Sequence, residues 1–457
     1  MEFETIKNTP IYKAFSELGK KIFLPRSIFY WAERAKKEAE ISGTIGVAFG
    51  FEKDFIEAGG DRWVPCYLQN IKHFFNTDIT NVVPYASIPG LTDSRKRWKE
   101  WIIKKSQLDD NKKKSLKDLE KYLTLTLFTP GITHGIFTCC SMFLNQSEYI
   151  ILPDKRWGNY DNIVEKNIGA KIKSFNYFSE DSIDLKSLEK AMQDVLKIQN
   201  KIILILNIPN NPTGYIPTRK EAIDLINLLK NMVEQNKKPL VILCDDAYEG
   251  YTFDINAIKT SLFYDLFQLD ENIVPIKLDG ITKELLMYGG RIGALTVGIH
   301  KNWIKTDFEL EQLKNELENK FSGFIRSTVS NSNILYQTIL NSLLSSQEIE
   351  KTLQHRKKVE KMLEKRYILL NQELNTIKSD GISIDPNRGG FFLFVNLKSI
   401  KATDFADLLL KKYKIGVIPI EKTHEGINGF RIAYSSIDIR KIPEFVSRIK
   451  KAMSEYE

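Results

Sequence analysis

The chain has 457 residues, 42% hydrophobic, 27% charged and 11% aromatic, which excludes a disordered polymer and leaves room for on the order of two or three domains. Its 66 Lys+Arg exceed its 58 Asp+Glu, for a net charge of +8, yet the signs are mixed along the chain, as from Arg356 to Arg366, and no basic run is interleaved with aromatics, so the excess reads as a solvated surface and not a nucleic-acid footprint. No apolar run approaches the roughly 18 residues of a membrane span, residues 1–8 lack the basic and apolar regions of a signal peptide, and the four cysteines Cys66, Cys139, Cys140 and Cys244 have no CxxC spacing, so they read as buried reduced thiols of a cytoplasmic protein that needs no metal.

Residues 1–40, with Pro10, Pro25 and Phe29-Tyr30-Trp31, read as an arm and a short helix, too few for a core of their own or for a DNA-binding module. Ile45-Gly46-Val47 and a loop through Gly59-Gly60 follow. Apolar spacing is helical from Leu68 to Phe75 and from Ser94 to Lys105, with the turn-rich Tyr85-Ala86-Ser87-Ile88-Pro89-Gly90-Leu91 between them. From Tyr122 the pattern turns to strands alternating with helices. Strands are expected at Tyr122–Phe128, Glu148–Leu152, Lys171–Phe175, Ile202–Leu206, Leu240–Leu243, Ile273–Leu278 and Ala294–Val297. Between them, Thr129-Pro130-Gly131-Ile132-Thr133 is a tight turn opening the helix that carries Cys139, and further helices are expected over Tyr160–Asn167, up to about Gln199 and over Arg219–Val233. A charged helix follows Trp303 to Lys320, and a long one runs from about Asn333 to Asn375. Strands near Phe391–Asn396, Ile415–Ile418 and Phe430–Tyr434, with helices near Phe405–Lys411 and Pro443–Met453, read as a smaller α+β domain.

Repeated strand–helix units whose strands are apolar throughout predict an α/β fold with a mainly parallel sheet flanked by helices. The expected organisation is an arm with part of a small domain over residues 1–60, a large domain over 61–335 and a small C-terminal domain over 336–457. Ligands of such sheets sit beyond the carboxyl ends of the strands, where the polar motifs of this chain fall. Asn207-Ile208-Pro209-Asn210-Asn211-Pro212-Thr213-Gly214 closes one strand; alone it is a turn. Asp245-Asp246-Ala247-Tyr248 closes the next, and Asp245 alone is a helix cap. Gly280-Ile281-Thr282-Lys283 ends a third, with Arg291 and Gly293 beyond; alone, a lysine is most often a surface residue.

Together, in this order and each at a strand end, these residues resemble fold type I pyridoxal-phosphate enzymes, most closely the class I/II aminotransferases of the aspartate and aromatic type, from about Gly46 to the C-terminus. The chemistry asks for these residue types. A lysine, here Lys283, holds the cofactor aldehyde covalently so that a substrate amine displaces it by exchange. A buried carboxylate, by the motif match Asp245, keeps the cofactor ring nitrogen protonated; Asp246 points to the opposite side of the strand end and reads as a bystander. Gly131-Ile132-Thr133 at a helix start and the Arg291 guanidinium suit a phosphate. The resemblance further implies that Tyr248 and Asn211 bond the ring's phenolic oxygen and that Tyr85 reaches the phosphate of a neighbouring subunit, so that active sites are shared in a homodimer. Trp157, in Arg156-Trp157-Gly158-Asn159-Tyr160, is either a core residue or the aromatic that stacks on the cofactor.

Arg431, in an apolar strand where an arginine demands an explanation, matches the clamp for the substrate carboxylate, beside Gly46, Asn211 and Trp157. Arg326 is either a surface residue or the arginine that reaches a distal carboxylate across the dimer. The chain departs from the family pattern in two places: Gly280 stands where a phosphate-binding serine is common, so Thr282 compensates or one contact is absent, and Leu286 stands where a glycine is frequent. The expected activity moves an amino group from an L-amino acid, an aspartate-like dicarboxylate or an aromatic, to a 2-oxo acid such as 2-oxoglutarate. The alternatives are a lyase or synthase of the same fold and, less favoured, a cofactor-binding regulator.

Overall fold

The central sheet forms where seven short apolar segments alternate with helices: β1 (Leu127–Thr129), β2 (Tyr149–Pro153), β3 (Lys171–Phe175), β4 (Ile202–Asn207), β5 (Leu240–Asp245), β6 (Ile273–Gly280) and β7 (Gly293–Val297). The computed structural model describes residues 4–7, 9–22, 28–108, 116–377 and 381–455; Pro25 of the expected arm lies outside them. The strand order is β1-β7-β6-β5-β4-β2-β3, parallel from β6 through β3, whereas β7 runs antiparallel to both β6 and β1. Strands β4 and β5 are buried along their whole length because helices cover both faces. The two-residue period shows in what they pack against: Leu204, Leu206, Ile242 and Cys244 belong to the core on one face, Ile203, Ile205, Val241 and Leu243 to the core on the other.

The helices that place the site are, in chain order, α1 (Ile28–Glu38), α2 (Thr92–Lys105), α3 (Ile132–Phe143), α4 (Arg219–Asn236), α5 (Asp307–Thr328), α6 (Ile334–Leu343), α7 (Ile349–Asn375), α8 (Ala402–Lys411) and α9 (Ile442–Met453). Thr218 and Glu221 close a capping box at the start of α4, and Thr306 and Glu309 do so for α5, satisfying N–H groups that a helix leaves open at that end. A second, antiparallel sheet of β8 (Ile382–Ile384), β9 (Leu393–Leu397), β10 (Ile418–Lys422) and β11 (Ile427–Ile432) has the order β8-β9-β11-β10. Its core holds Phe405, Phe430 and Ile449 together with Trp31, Ala35 and Ile41 from the N-terminal part, and Ile41–Ser42 pairs in parallel with Ile415–Gly416.

Several expected elements change on folding. The strand expected over Tyr122–Phe128 is the end of a helix (Leu116–Tyr122), an isolated bridge from Leu123 to Gly298, and then β1; the Thr124 hydroxyl accepts the Val297 N–H at 3.0 Å, so a side chain takes the ladder position of a backbone carbonyl. The single helix expected from Asn333 to Asn375 is broken into α6 and α7 at Leu344–Glu348, where Ser345 N–H turns back to Ser342 O at 3.1 Å and Thr352 Oγ1 donates to Leu343 O at 2.9 Å. Leu68–Phe75 tightens to a 3₁₀ segment over Gln69–Phe74, and Tyr160–Asn167 becomes one short turn followed by a wide π-helical stretch, Asn162–Ile168. All four cysteines are buried and free. Among the described residues, no helix is long and apolar enough to cross a membrane.

Candidate active site

The carboxyl ends of the parallel strands meet at a cavity of about 120 Å³ lined by Ile132, Thr133, Ile136, Trp157, Asn207, Asn211, Asp245, Ala247, Tyr248, Thr282, Lys283 and Arg291. Asn207 ends β4 and Asp245 ends β5, side by side in register. The Asn207 amide ties three pieces of backbone together: its Nδ2 donates to Asp245 O at 3.0 Å and its Oδ1 accepts the Asn211 N–H at 2.8 Å. Tyr160 donates its hydroxyl proton to Asp245 Oδ2, and Ala247 N–H reaches Oδ1 at 3.2 Å. Lys283 sits in the short helical turn Ile281–Glu284 that follows β6, its Nζ 5.1 Å from the centre of the Tyr248 ring. That ring is wedged edge-on against Phe391 and Phe392, each at 5.3 Å.

At the other end, Gly131 adopts φ +79° and precedes α3; a Cβ there would lie 2.1 Å from Arg291 Nη2, so only glycine admits both the conformation and the guanidinium. Gly293 is required by the same turn, since its Cβ would meet Ile132 N at 2.5 Å. Ile132 and Thr133, which begin α3, line the same cavity as Arg291, so the positive end of a helix stands beside a guanidinium. Gly280 has no room for a side chain: its Cβ would stand 2.6 Å from Ile292 O. Leu286, where the family pattern has glycine, takes φ +56° while buried, keeping the left-handed turn and adding an apolar side chain to the core.

Arg431 enters from β11 and is 3% exposed. Its Nη1 donates to Asn211 Oδ1 at 3.1 Å, its Nη2 to Thr44 O at 2.8 Å, and the guanidinium stacks 4.3 Å over Phe392, while Nε is buried without a partner. Burial lowers its pKa to about 10. Burial also pulls the Lys283 ammonium down to about 8 against the opposing pull of Asp245, with Arg291 and Arg431 adding to the fall. The Asp245 carboxyl is pushed up by burial, and the Tyr160 hydroxyl, the Ala247 N–H and Lys283 restrain it. The result is a lysine poised near neutrality beside an acceptor carboxylate, an arrangement characteristic of functional sites.

Of the residues expected from sequence, the cavity brings together Lys283, Asp245, Tyr248, Asn211, Thr282, Ile132, Thr133, Trp157 and Arg291. Gly131 lies against Arg291, Arg431 binds Asn211, and Gly46 packs on Phe392, its virtual Cβ 3.7 Å from the Tyr248 hydroxyl. Two residues stay outside. Tyr85 is 91% exposed, and Arg326 lies exposed near the end of α5, donating to Ser330 Oγ. The sequence reading missed Tyr160 and Thr44 and gave Asn207 no role. Asn207 had a signal, as the polar residue ending an apolar strand; Tyr160 and Thr44 had none, because each acts through a contact distant in sequence.

A mainly parallel sheet with a half-buried lysine, a buried carboxylate and an arginine beside a helix start at its strand ends is the architecture of a pyridoxal-phosphate enzyme of fold type I. The chain belongs to the aminotransferase class I and II family, whose sequence profile matches residues 62–449. It is 24% identical over 337 residues to an aromatic-amino-acid aminotransferase of Thermococcus litoralis, covering 73% of this chain and 77% of that one, and 23% identical over 340 residues to an aspartate aminotransferase of Sulfolobus acidocaldarius, covering 72% and 75%. Among solved structures, an aminotransferase of Anaerococcus prevotii superposes with a TM-score of 0.78 at 21% identity over 96% of this chain and 98% of that one. A Pyrococcus horikoshii kynurenine aminotransferase solved in complex with PMP gives 0.76 at 15% identity over 98% of both. The protein is thus an aminotransferase-family enzyme with pyridoxal phosphate as its cofactor. The residues present fit that group: the Gly131 turn leaves space that a Cβ would fill beside Arg291, and the lining combines an amine, a carboxylate, a phenol and a helix start beside a guanidinium.

Proposed function

We propose that the enzyme is a cytoplasmic, homodimeric aminotransferase that takes the amino group of an L-amino acid, an aspartate-like dicarboxylate or an aromatic, and delivers it to a 2-oxo acid, 2-oxoglutarate being the expected acceptor. The observation that carries the reading is the convergence of Lys283, Asp245, Tyr248, Asn211 and Arg291 on one cavity, with the partly unpaired Arg431 guanidinium at its side. The names of the relatives, aromatic-amino-acid and aspartate aminotransferases, support the choice of donors.

Bound pyridoxal phosphate supplies an aldehyde for capture of amines and a ring that draws off the electron pair released at the substrate Cα. Lys283 would hold it covalently and Asp245 would hold its ring nitrogen protonated. Thr133, Thr282, the N–H groups that begin α3 and Arg291 would hold the phosphate, and Tyr248 and Asn211 the phenolic oxygen. Trp157 would cover the ring. The Lys283 amine, whose ammonium burial lowers to about 8, would serve as the base that lifts the substrate Cα proton near neutral pH and, once protonated, would give a proton back. Arg431 orients the substrate through its α-carboxylate, and Gly46, with no side chain, leaves that approach open beside Phe392.

The exposed Tyr85 and Arg326 would act in the site of a second copy, the first on the phosphate and the second on a distal carboxylate. A panel of amino donors tests the reading. New amino acid forming only when 2-oxo acid is present marks a transaminase; product released without an acceptor marks the lyase or synthase alternative. Loss of the dicarboxylate donors alone in Arg326→Ala supports the reach across a dimer, and an unchanged panel removes it.

A further inference from the structure

Behind the cavity, on the side of the strand ends away from it, lies a group of charges that the reaction described above does not use. Lys105 Nζ donates to Glu249 Oε2 at 2.6 Å and lies 3.1 Å from Asp279 Oδ2 and 2.7 Å from Glu284 Oε1. Lys277 Nζ pairs with Asp246 and, at 2.9 Å, with the same Glu249 oxygen. All six side chains are at most 5% exposed. Trp98, Trp101 and Lys105 share one face of α2, at helical spacing; the two indoles donate to Asp279 at 2.8 Å and to Glu284 at 2.6 Å, and the ammonium lies 5.7 and 5.8 Å from their rings. Three of these carboxylates surround a point that a cation suits, and the Lys105 ammonium occupies it.

The placement ties this network to the cavity. Asp246 is the residue after Asp245, and Glu284 the residue after Lys283, and in each pair one side chain faces the cavity and the other the network. A third link runs through Arg356 of α7, which donates to Glu249 O at 2.8 Å and lies 5.3 Å from the Tyr251 ring, whose hydroxyl donates to Lys283 O at 2.8 Å. A buried ionic network is a weak source of stability, since apolar side chains of like volume serve as well, but it fixes geometry and leaves a strong field when one partner is removed. Four carboxylates face two ammonium groups and, at the edge, Arg356. Tyr264, 5.4 Å beneath Lys277, Ser261, Cys244 and Asp265 complete the polar and titratable surroundings. Burial pushes the Asp246 and Glu284 carboxyls up against the pull of the lysines, whereas the two lysines hold Glu249 well below the usual carboxylate range despite its burial.

We propose that Lys105, Lys277 and Glu249 are positioning residues for the reaction, holding Lys283 and Asp245 from behind through Glu284 and Asp246, so that removing one charge of the network exposes Lys283 to the uncompensated remainder. This rests on the reading of Lys283 as the lysine that carries the cofactor.

The test follows the absorbance band of the lysine-bound cofactor in the holoenzyme as a function of pH. Removing a cation in Lys105→Met stabilises the protonated form at Lys283 and raises the midpoint by about one unit, removing the anion in Glu249→Gln lowers it by a comparable amount, and the double variant, with balanced charge, returns to within roughly 0.3 unit of wild type. In Lys105→Met, kcat falls by about tenfold or more while KM for the amino donor changes little, because the substrate's own contacts remain. Midpoints that stay at the wild-type value while the melting temperature falls would reduce the network to a structural role and overturn the proposal. If Lys105→Met does not fold, the isosteric Glu249→Gln decides alone, by a lowered or an unmoved midpoint. A wild-type adduct found away from Lys283 would instead sink the underlying reading, so the two failures are separable.

Discussion

Replacing Arg431 by methionine separates catalysis from folding. A guanidinium has five N–H donors; here one on Nη1 and one on Nη2 are taken by Asn211 and Thr44, and Nε is buried with no acceptor. The unfilled donors suit a carboxylate, and charge-assisted hydrogen bonds contribute about 1.5–3 kcal/mol each. Losing two of them costs about 3–6 kcal/mol of binding, or roughly 10²–10⁴ in kcat/KM. The apoenzyme feels the substitution differently. Methionine removes a buried, incompletely paired charge, which is favourable, and strands the Thr44 carbonyl and Asn211 Oδ1, which is not; the two offset to within about 2 kcal/mol. The assay pairs steady-state kinetics over a donor series with urea unfolding of the apoenzyme. A large kinetic loss at nearly unchanged stability is expected. A kcat/KM within about tenfold of wild type, or a stability loss large enough to empty the folded state, would refute the assignment.

Further predictions follow from the local geometry. Gly280→Ser forces a Cβ toward Ile292 O at 2.6 Å and should lower stability by about 1–3 kcal/mol in urea unfolding, so that the serine of the family pattern weakens this chain. Leu286→Gly relieves φ +56° but empties a buried apolar site, and the loss should win by about 1–3 kcal/mol in the same measurement. Because burial holds Lys283 near pH 8 against an ordinary value of about 10.4, the unfolded apoenzyme binds more protons than the folded one between those values. The sign is therefore that stability rises with pH across the window. Apo Lys283→Met should be more stable than apo wild type at pH 7, and the difference should shrink towards pH 10.

The sequence carried the parallel sheet because its strands are apolar without alternation, and it carried Lys283, Asp245 and Asn211 because each stands at or just after the end of such a strand, and Arg291 because it stands just before the next apolar strand, β7. It could not carry residues whose partners are far along the chain. Tyr160 looks in sequence like the start of a helix and is in the fold the hydroxyl donor to Asp245. Asp246 looks in sequence like a bystander; it does face away from the cavity, but into a buried pairing with Lys277, which local pattern does not reveal. The antiparallel run of β7 was equally hidden, since an apolar strand reads the same in both directions, and the break between α6 and α7 depends on the Thr352 hydroxyl finding Leu343 O.

The most direct test of the account is to reduce the holoenzyme with borohydride and map the trapped cofactor adduct by peptide mass analysis in wild type and Lys283→Ala. The account predicts an adduct on Lys283 in the wild type, none in the variant, and loss of nearly all turnover with it; an adduct on any other lysine, or one that persists in Lys283→Ala with activity, would contradict it.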